Sequence, residues 1–329
     1  MKWPGEALII HLLEIIERNA ITPFTRPLQL RREGMVGIEL KREERLAIAE
    51  VEAEITRRSS AEQAALLRIA HASAGTMDQA PPAVVGVYSH IAIKSLRREV
   101  NVAEAVMRAG DDLIMNGGQV PSETPNPDWL NRWRESASEF SGKEAQDLWG
   151  RVLAREVGAP GSFSLRTMEA LRTLDMHDAQ LIEKLAPLAL HGRWIFCSTF
   201  SADPSVPGIS FAELQGLQQI GIISGVEGGG ITATLGDTLK LGDYRRAFVV
   251  GDTGIVVQHE DPQAKLQFEG YVTTRIGREL LRLVDPVPNI DYLRRVGLHF
   301  KNQGFAVALK KIQSREKEML SFEDSGEEI

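Results

Sequence analysis

Residues 128–174 read DWLNRWRESASEFSGKEAQDLWGRVLAREVGAPGSFSLRTMEALRTL. Helix signals recur along this stretch at short intervals. Asp128 is placed to cap a helix carrying Trp129 and Trp133 four residues apart on one face. Ser141 and Glu144 have capping-box spacing ahead of Leu148, Trp149, Val152 and Leu153. GAPG at 158–161 stops that helix. Ser164 then opens a helix with Leu165, Met168 and Leu171, and Asp175 opens one with Ala179, Ile182 and Leu185. Helices joined by connections this short predict an antiparallel bundle.

Upstream, Ile9, Leu12, Leu13 and Ile16 recur with helical spacing and predict an amphipathic helix over 6–19, docked on the core. Pro23, Pro27, Gly34 and Gly37 mark a connector. Residues 41–73 read as a long Ala-rich helix in which Glu and Arg form i,i+4 pairs. GTMDQAPP at 75–82 is a linker, and 84–116 returns to helix, ending at Gly117–Gly118.

Downstream of Arg193 the pattern changes. WIFCSTF at 194–200 is strand-like. A helix follows over 210–220, then a Gly-rich turn at VEGGGIT. The runs 247–250, 254–258 and 265–272 read as one small antiparallel sheet, Thr274 opens a helix, and a last helix covers about 290–320. The expectation is a mainly α protein: an N-terminal helical bundle, a small α+β, winged-helix-like module and a C-terminal helix. Its parts are 1–82 (N-terminal helices and linker), 83–193 (helical bundle), 194–315 (α+β module) and 316–329 (acidic disordered tail).

Composition bounds the function classes. The chain has 329 residues, 43% hydrophobic and 25% charged, with a net charge of −7, as an ordinary globular protein of about two domains would have. One cysteine, Cys197, excludes an intramolecular disulfide and fits a reducing compartment. No stretch reaches the roughly 20 apolar residues of a spanning helix, and the N-terminus lacks signal-peptide features, so a cytoplasmic location is expected. The net charge disfavours non-specific nucleic-acid binding by the whole surface. Locally, Arg275 to Arg315 holds nine Lys/Arg against three Asp/Glu, and the segment after it is acidic.

Chemical motifs are sparse. Gly142–Lys143 is followed by Glu144, which is incompatible with a phosphate-binding loop. GVEGGG at 225–230 has the wrong spacing for a dinucleotide fingerprint and reads as a hairpin turn. No two of the seven histidines are three or four residues apart, and no Ser sits in a G-x-S-x-G elbow. Cys197 reads as a core thiol. Asp252 with Gln263-x-Lys265 distantly follows the order of metal-dependent nucleases, but Pro262 abuts the pair. Accordingly no catalytic residue, cofactor or metal site is assigned.

The residues of 128–174 resemble a bacterial family known as domain of unknown function 2806. The likeness is carried by Asp128, Trp129, Leu130, Leu148, Trp149, Leu153, Ala154, Glu156, Pro160, Gly161, Phe163, Ser164, Leu165, Arg166 and Thr167. It extends more weakly through Arg97, Arg98, Glu99 and Asn101 upstream, and through Leu217, Gly221, Ile222, Thr274, Gly277, Glu279 and Leu280 downstream. The helical part also resembles, more distantly, a family linked to abortive phage infection. The first resemblance implies no known activity, and the second implies a role in antiviral defence.

Within the motif, Glu156 and Arg166 are expected to pair across the GAPGSFS turn, either as a structural link or as a ligand pair. Trp129 and Trp149 are expected to be core anchors rather than a base-stacking platform. Three function classes follow. The first is a non-enzymatic interaction or scaffold protein that forms homo-oligomers through its N-terminal helices, with a further protein partner encoded nearby. The second is a nucleic-acid-binding regulator using 210–315, with contacts at Arg275, Arg278, Arg294, Arg295, Lys301, Lys310 and Lys311. The third is an enzyme without a recognisable motif.

Overall fold

The computed structural model describes residues 6–22, 82–116, 119–197, 206–237, 242–316 and 319–329. The helix expected at 41–73 and nearly all of the connectors flanking it lie outside these residues. The chain divides into two compact units, Met1–Met168 and Glu169–Ile329.

In the first unit, α1 (Glu6–Arg18), α2 (Pro82–Asn116), α3 (Pro127–Ser138) and α4 (Lys143–Gly158) pack on one another. The apolar stripe of α1 is buried, with Leu8, Leu12 and Ile16 almost inaccessible, and it docks on α2 and α4. The closest packing is between α2 and α4. A Cβ added at Gly150 would lie 2.4 Å from Arg108 Cβ and 2.9 Å from the Ala105 carbonyl oxygen, so the two helices approach there without an intervening side chain. Two expected caps differ from those found. Asn126, with Pro127 behind it, caps α3 by accepting from the Asp128 and Trp129 N–H groups, because Pro at the first helical position sets the start two residues earlier. Gly142, not Ser141, begins α4, with no side-chain cap.

The division between units falls inside α5 (Leu165–Thr173). The second unit continues with α6 (Met176–Leu185), capped by a box of Asp175 and Asp178. A 3₁₀ turn leads into β1 (Ala189–Leu190) and β2 (Trp194–Phe196). Next come α7 (Phe211–Gln219), β3 (Ile223–Ser224), β4 (Ile231–Leu235), β5 (Tyr244–Val250), β6 (Thr253–His259) and β7 (Leu266–Thr273). The chain closes with α8 (Arg275–Leu281), α9 (Ile290–Lys301), β8 (Ala306–Glu316) and β9 (Met319–Glu328).

These strands form two antiparallel sheets. Strand β7 is central in the first, pairing β2 on one edge and both β3 and β4 on the other. The second has the order β5-β6-β8-β9. Helix α9 packs on β6 and β8 and turns Tyr292, Leu293, Val296 and Phe300 inward. The phenol of Tyr292 joins the layers: its O–H donates to the Leu188 carbonyl at 2.9 Å and accepts from the Phe196 N–H at 2.7 Å. Burial pushes this phenol far above its ordinary pKa, so it stays a donor.

The described residues therefore hold nine α-helices and nine strands in two antiparallel sheets, an α+β fold. The mainly α, winged-helix-like expectation is wrong for two reasons. The runs at 247–250, 254–258 and 265–272 do not form one sheet: β5 and β6 make a hairpin, β8 takes the other edge of β6, and β7 belongs elsewhere. Strand runs in a sequence carry no label for the edge they join. Second, the last helix ends at Lys301, not near 320, and Gly304 (φ +95°) turns the chain into β8. The acidic segment expected to be a disordered tail forms β9.

Gly150→Ala is expected to destabilise the protein by about 1–3 kcal/mol through overpacking. Gly158→Ala, at the end of the same helix with no atom within 4 Å of the added Cβ, is expected to be neutral or slightly stabilising. Chemical denaturation of the two variants checks the pair.

Candidate functional site

The most distinctive stretch of sequence folds around a carboxylate. Glu156, on the last turns of α4, is 2% exposed. Its Oε1 accepts the Gly161 N–H at 2.6 Å and its Oε2 the Phe163 N–H at 3.0 Å. Gly161 has φ +85°, a conformation that favours glycine. The turn 159–163 is thus wrapped around one buried acid. Trp129 extends the same arrangement by donating its indole N–H to the Phe163 carbonyl at 2.8 Å. Trp133 donates to the Trp149 carbonyl at 2.9 Å, and Asn101 to the Ser138 carbonyl at 2.8 Å. Arg134 ties α3 to the end of α1 through the Ile21 carbonyl at 2.7 Å and also pairs with Glu99.

The Glu156 carboxylate binds backbone N–H groups of the turn, and Arg166 is exposed in the first turn of α5. Charge-assisted bonds from N–H donors are among the strong ones open to a buried acid. Trp129 and Trp149 are 5% and 2% exposed. A base-stacking platform needs accessible ring faces, which these do not offer.

The downstream residues of the resemblance converge on a second junction. The Thr274 N–H donates to the Ile222 carbonyl at 2.9 Å, and its hydroxyl donates to the Gly221 carbonyl. A Cβ at Gly277 would sit 2.0 Å from that Ile222 oxygen. Helix α8 therefore begins directly against the α7–β3 connection. Buried Glu279 is bonded to Arg275 at 2.7 Å, and Leu280 is buried.

Of the seven cations expected to face nucleic acid, five are engaged within the chain. Arg275 holds Glu279, and Arg278 donates to the Thr273 carbonyl at 3.0 Å. Arg294 grips Glu327 through two bonds, at 2.8 and 3.0 Å, and reaches Asp291 at 3.1 Å. The bonds between Arg294 and Glu327 raise the arginine's pKa and lower the glutamate's. Lys310 donates to the Asp324 carbonyl at 3.2 Å, and Lys311 lies 3.4 Å from Asp252. Arg295 and Lys301 are exposed on α9. Since surface ion pairs are weak, these bonds lower the charge presented without abolishing it.

The nuclease-like order does not assemble. Asp252 lies in the β5–β6 turn, where the Thr253 hydroxyl and then Lys311 hold its carboxyl below the usual range. Gln263 and Lys265 follow the opposite end of β6 and lead into the other sheet. Among the described residues no group of three or more His, Cys, Asp or Glu is placed to hold a metal, and no helix is long and apolar enough to cross a membrane. Cys197 is buried.

Geometry thus defines an α+β protein whose most distinctive residues fasten helix junctions. Residues 90–193 match a family described as "Protein of unknown function (DUF2806)". The downstream motif residues lie outside the matched range. No curated protein and no solved structure matches the chain.

Glu156→Ala should cost about 1–3 kcal/mol, because it strands the buried Phe163 N–H and the half-buried Gly161 N–H. Glu156→Gln should cost less, and Arg166→Ala should stay within about 0.5 kcal/mol. Thermal or urea unfolding ranks the three. An equal loss at Glu156→Ala and Arg166→Ala would instead point to an ion pair between them.

Proposed function

We propose that the protein is a non-enzymatic interaction protein that self-associates through its N-terminal helical region. The observation carrying this reading is the division of helix α2. From Val102 to Leu113 its apolar side chains are buried in the first unit. Towards its start, His90, Ile91, Lys94, Ser95, Arg97 and Arg98 are all exposed, and Ile91 is 53% exposed. A helix of 35 residues is roughly 50 Å long. Two such helices can pair along their first halves, with apolar contact at Ile91 and arginines facing acidic side chains. The sequence of residues 41–73 alternates Glu and Arg, so the same part of the chain carries the acidic side chains such arginines need.

Nucleic-acid binding through 210–315 is the less favoured reading, since most of its proposed cations already hold acids or carbonyls. The likeness to an abortive-infection family motivates a second reading, a role in bacterial phage defence. Plaque counts on hosts with and without the gene test that placement, and equal counts across a phage panel would remove it.

Light scattering is expected to give a mass above that of one chain, and Ile91→Asp is expected to lower it to one chain. Leu298→Asp, at an equally exposed apolar position on α9, is expected to leave the mass unchanged. A wild-type monomer at every concentration would sink the reading.

A further inference from the structure

The two sheets of the second unit present four edges, and three of them are guarded. Strand β1 has only two residues. Strand β5 is met by His191, whose backbone N–H donates to the Val249 carbonyl at 2.7 Å and whose Nδ1 accepts the Val249 N–H at 3.4 Å. It also carries Arg245 and Arg246. Strand β9 carries Glu323, Asp324, Glu327 and Glu328. Shortness, cover and charge are the devices that keep a sheet edge from joining another chain. The fourth edge is shared by the short β3 and by β4, and β4 has none of these devices. Its five residues, ITATL, include no charge and no proline, and β7 is its only strand partner.

The direction of the free groups on β4 follows from β7. The Thr273 N–H donates to the Arg193 carbonyl at 2.9 Å, and the Glu269 carbonyl accepts the Cys197 N–H at 3.3 Å. Odd-numbered residues of β7 therefore turn their backbone groups towards β2, and the even-numbered Leu266, Phe268 and Gly270 turn theirs towards β4. These three pair with Leu235, Ala233 and Ile231, which leaves the N–H and C=O of Thr232 and Thr234 pointing away from the sheet. Among the described residues nothing bonds these groups, and both threonines are exposed.

An antiparallel copy of the same strand fits this edge. A two-fold axis at Ala233 sets Thr232 of each copy against Thr234 of the other, and every outward backbone group of the two threonines gains a partner. Ile231 then faces Leu235 of the other copy and Ala233 faces itself, so apolar meets apolar and hydroxyl meets hydroxyl. Charge matches at the ends. Gly230 comes opposite Gly236, which brings the 225–230 excursion, with exposed Glu227, towards Arg246, whose guanidinium donates to the Gly236 carbonyl at 2.7 Å.

We propose that β4 pairs with β4 of a second copy, extending the first sheet across a two-fold axis at Ala233. Strands this short bury far less than the roughly 1,200 Å² of a stable interface. The pairing therefore rests on the N-terminal self-association proposed above, which supplies the high local concentration it needs.

Ala233→Cys tests the pairing. Antiparallel residues opposed without hydrogen bonds have Cα atoms about 4.5 Å apart, a spacing that a disulfide spans. Ile231→Cys is the register control, because its two copies would lie roughly 13 Å apart along the strands. Each chain is oxidised with diamide, and the bond is located by mass spectrometry. The 233–233 bond is expected to form on the order of tenfold faster than a 231–231 bond, and to slow by a similar factor when Ile91→Asp is added. Thr232→Lys with Thr234→Lys opposes like charges and should abolish it, whereas Thr232→Lys with Thr234→Glu opposes unlike charges and should keep it. Light scattering on the same samples separates the two contacts. An oligomer whose 233–233 bond is absent, or no faster than the 231–231 bond, overturns edge pairing and leaves the N-terminal reading. A register-specific 233–233 bond indifferent to Ile91→Asp keeps edge pairing and overturns its dependence on that region. A monomer without the bond overturns both.

Discussion

At residue 270 the chain has no room for a side chain. A Cβ there would lie 2.0 Å from the Ile195 carbonyl oxygen, and the backbone sits at φ +144°. This close approach lets β7 accept β2 on one side, with Phe196 opposite Gly270, while Ile231 of β4 faces the same residue from the other. The first sheet is organised around that strand. Its connections carry α7 and α8 to their junction at Ile222 and Thr274, and Phe196, at the end of β2, supplies the N–H that meets Tyr292. Any side chain at 270 would push β2 away and loosen the coupling between the sheets.

The first unit solves a different problem by similar means. Its helices bury large indoles and an acid, and each polar atom needs a partner where water is excluded. Backbone groups serve repeatedly: carbonyls at Phe163, Trp149, Ser138 and Ile21, and N–H groups at Gly161 and Phe163. Such bonds specify helix ends rather than helix faces. They account for a motif dense in Trp, Gly, Pro and Glu that contains no reactive constellation.

Local elements were legible where their signal is local. The helix starts at Asp175, Ser210 and Thr274 stand as their sequences imply, as does the buried stripe of α1. Non-local choices were hidden. Nothing in residues 244–273 tells β6 to accept β8 while β7 turns to β2, because pairing partners are chosen by burial across the whole unit. The pattern of Val307 and Leu309 inward, with Lys310 on the Asp324 carbonyl and Lys311 towards Asp252, was present in the sequence. It was masked by the charged, helix-compatible composition of 310–318. The Glu156 site was half legible: the residue stood out in the motif, but nothing in the sequence announced the two N–H groups of the turn that it accepts from.

The glycine-rich run at 225–230 is not a hairpin turn. Ser224 faces Val272 and Ile231 faces Gly270, so six residues leave the ladder opposite Tyr271 alone. Gly230 N–H closes the excursion on the Gly225 carbonyl at 2.8 Å. Because the ladder resumes in register on both sides, the length of the excursion is uncoupled from the pairing of β3 and β4. The protein thus contains an internal port, where a fluorophore tag or an epitope can be spliced into the middle of a sheet edge at the small entropic cost of a longer closed loop.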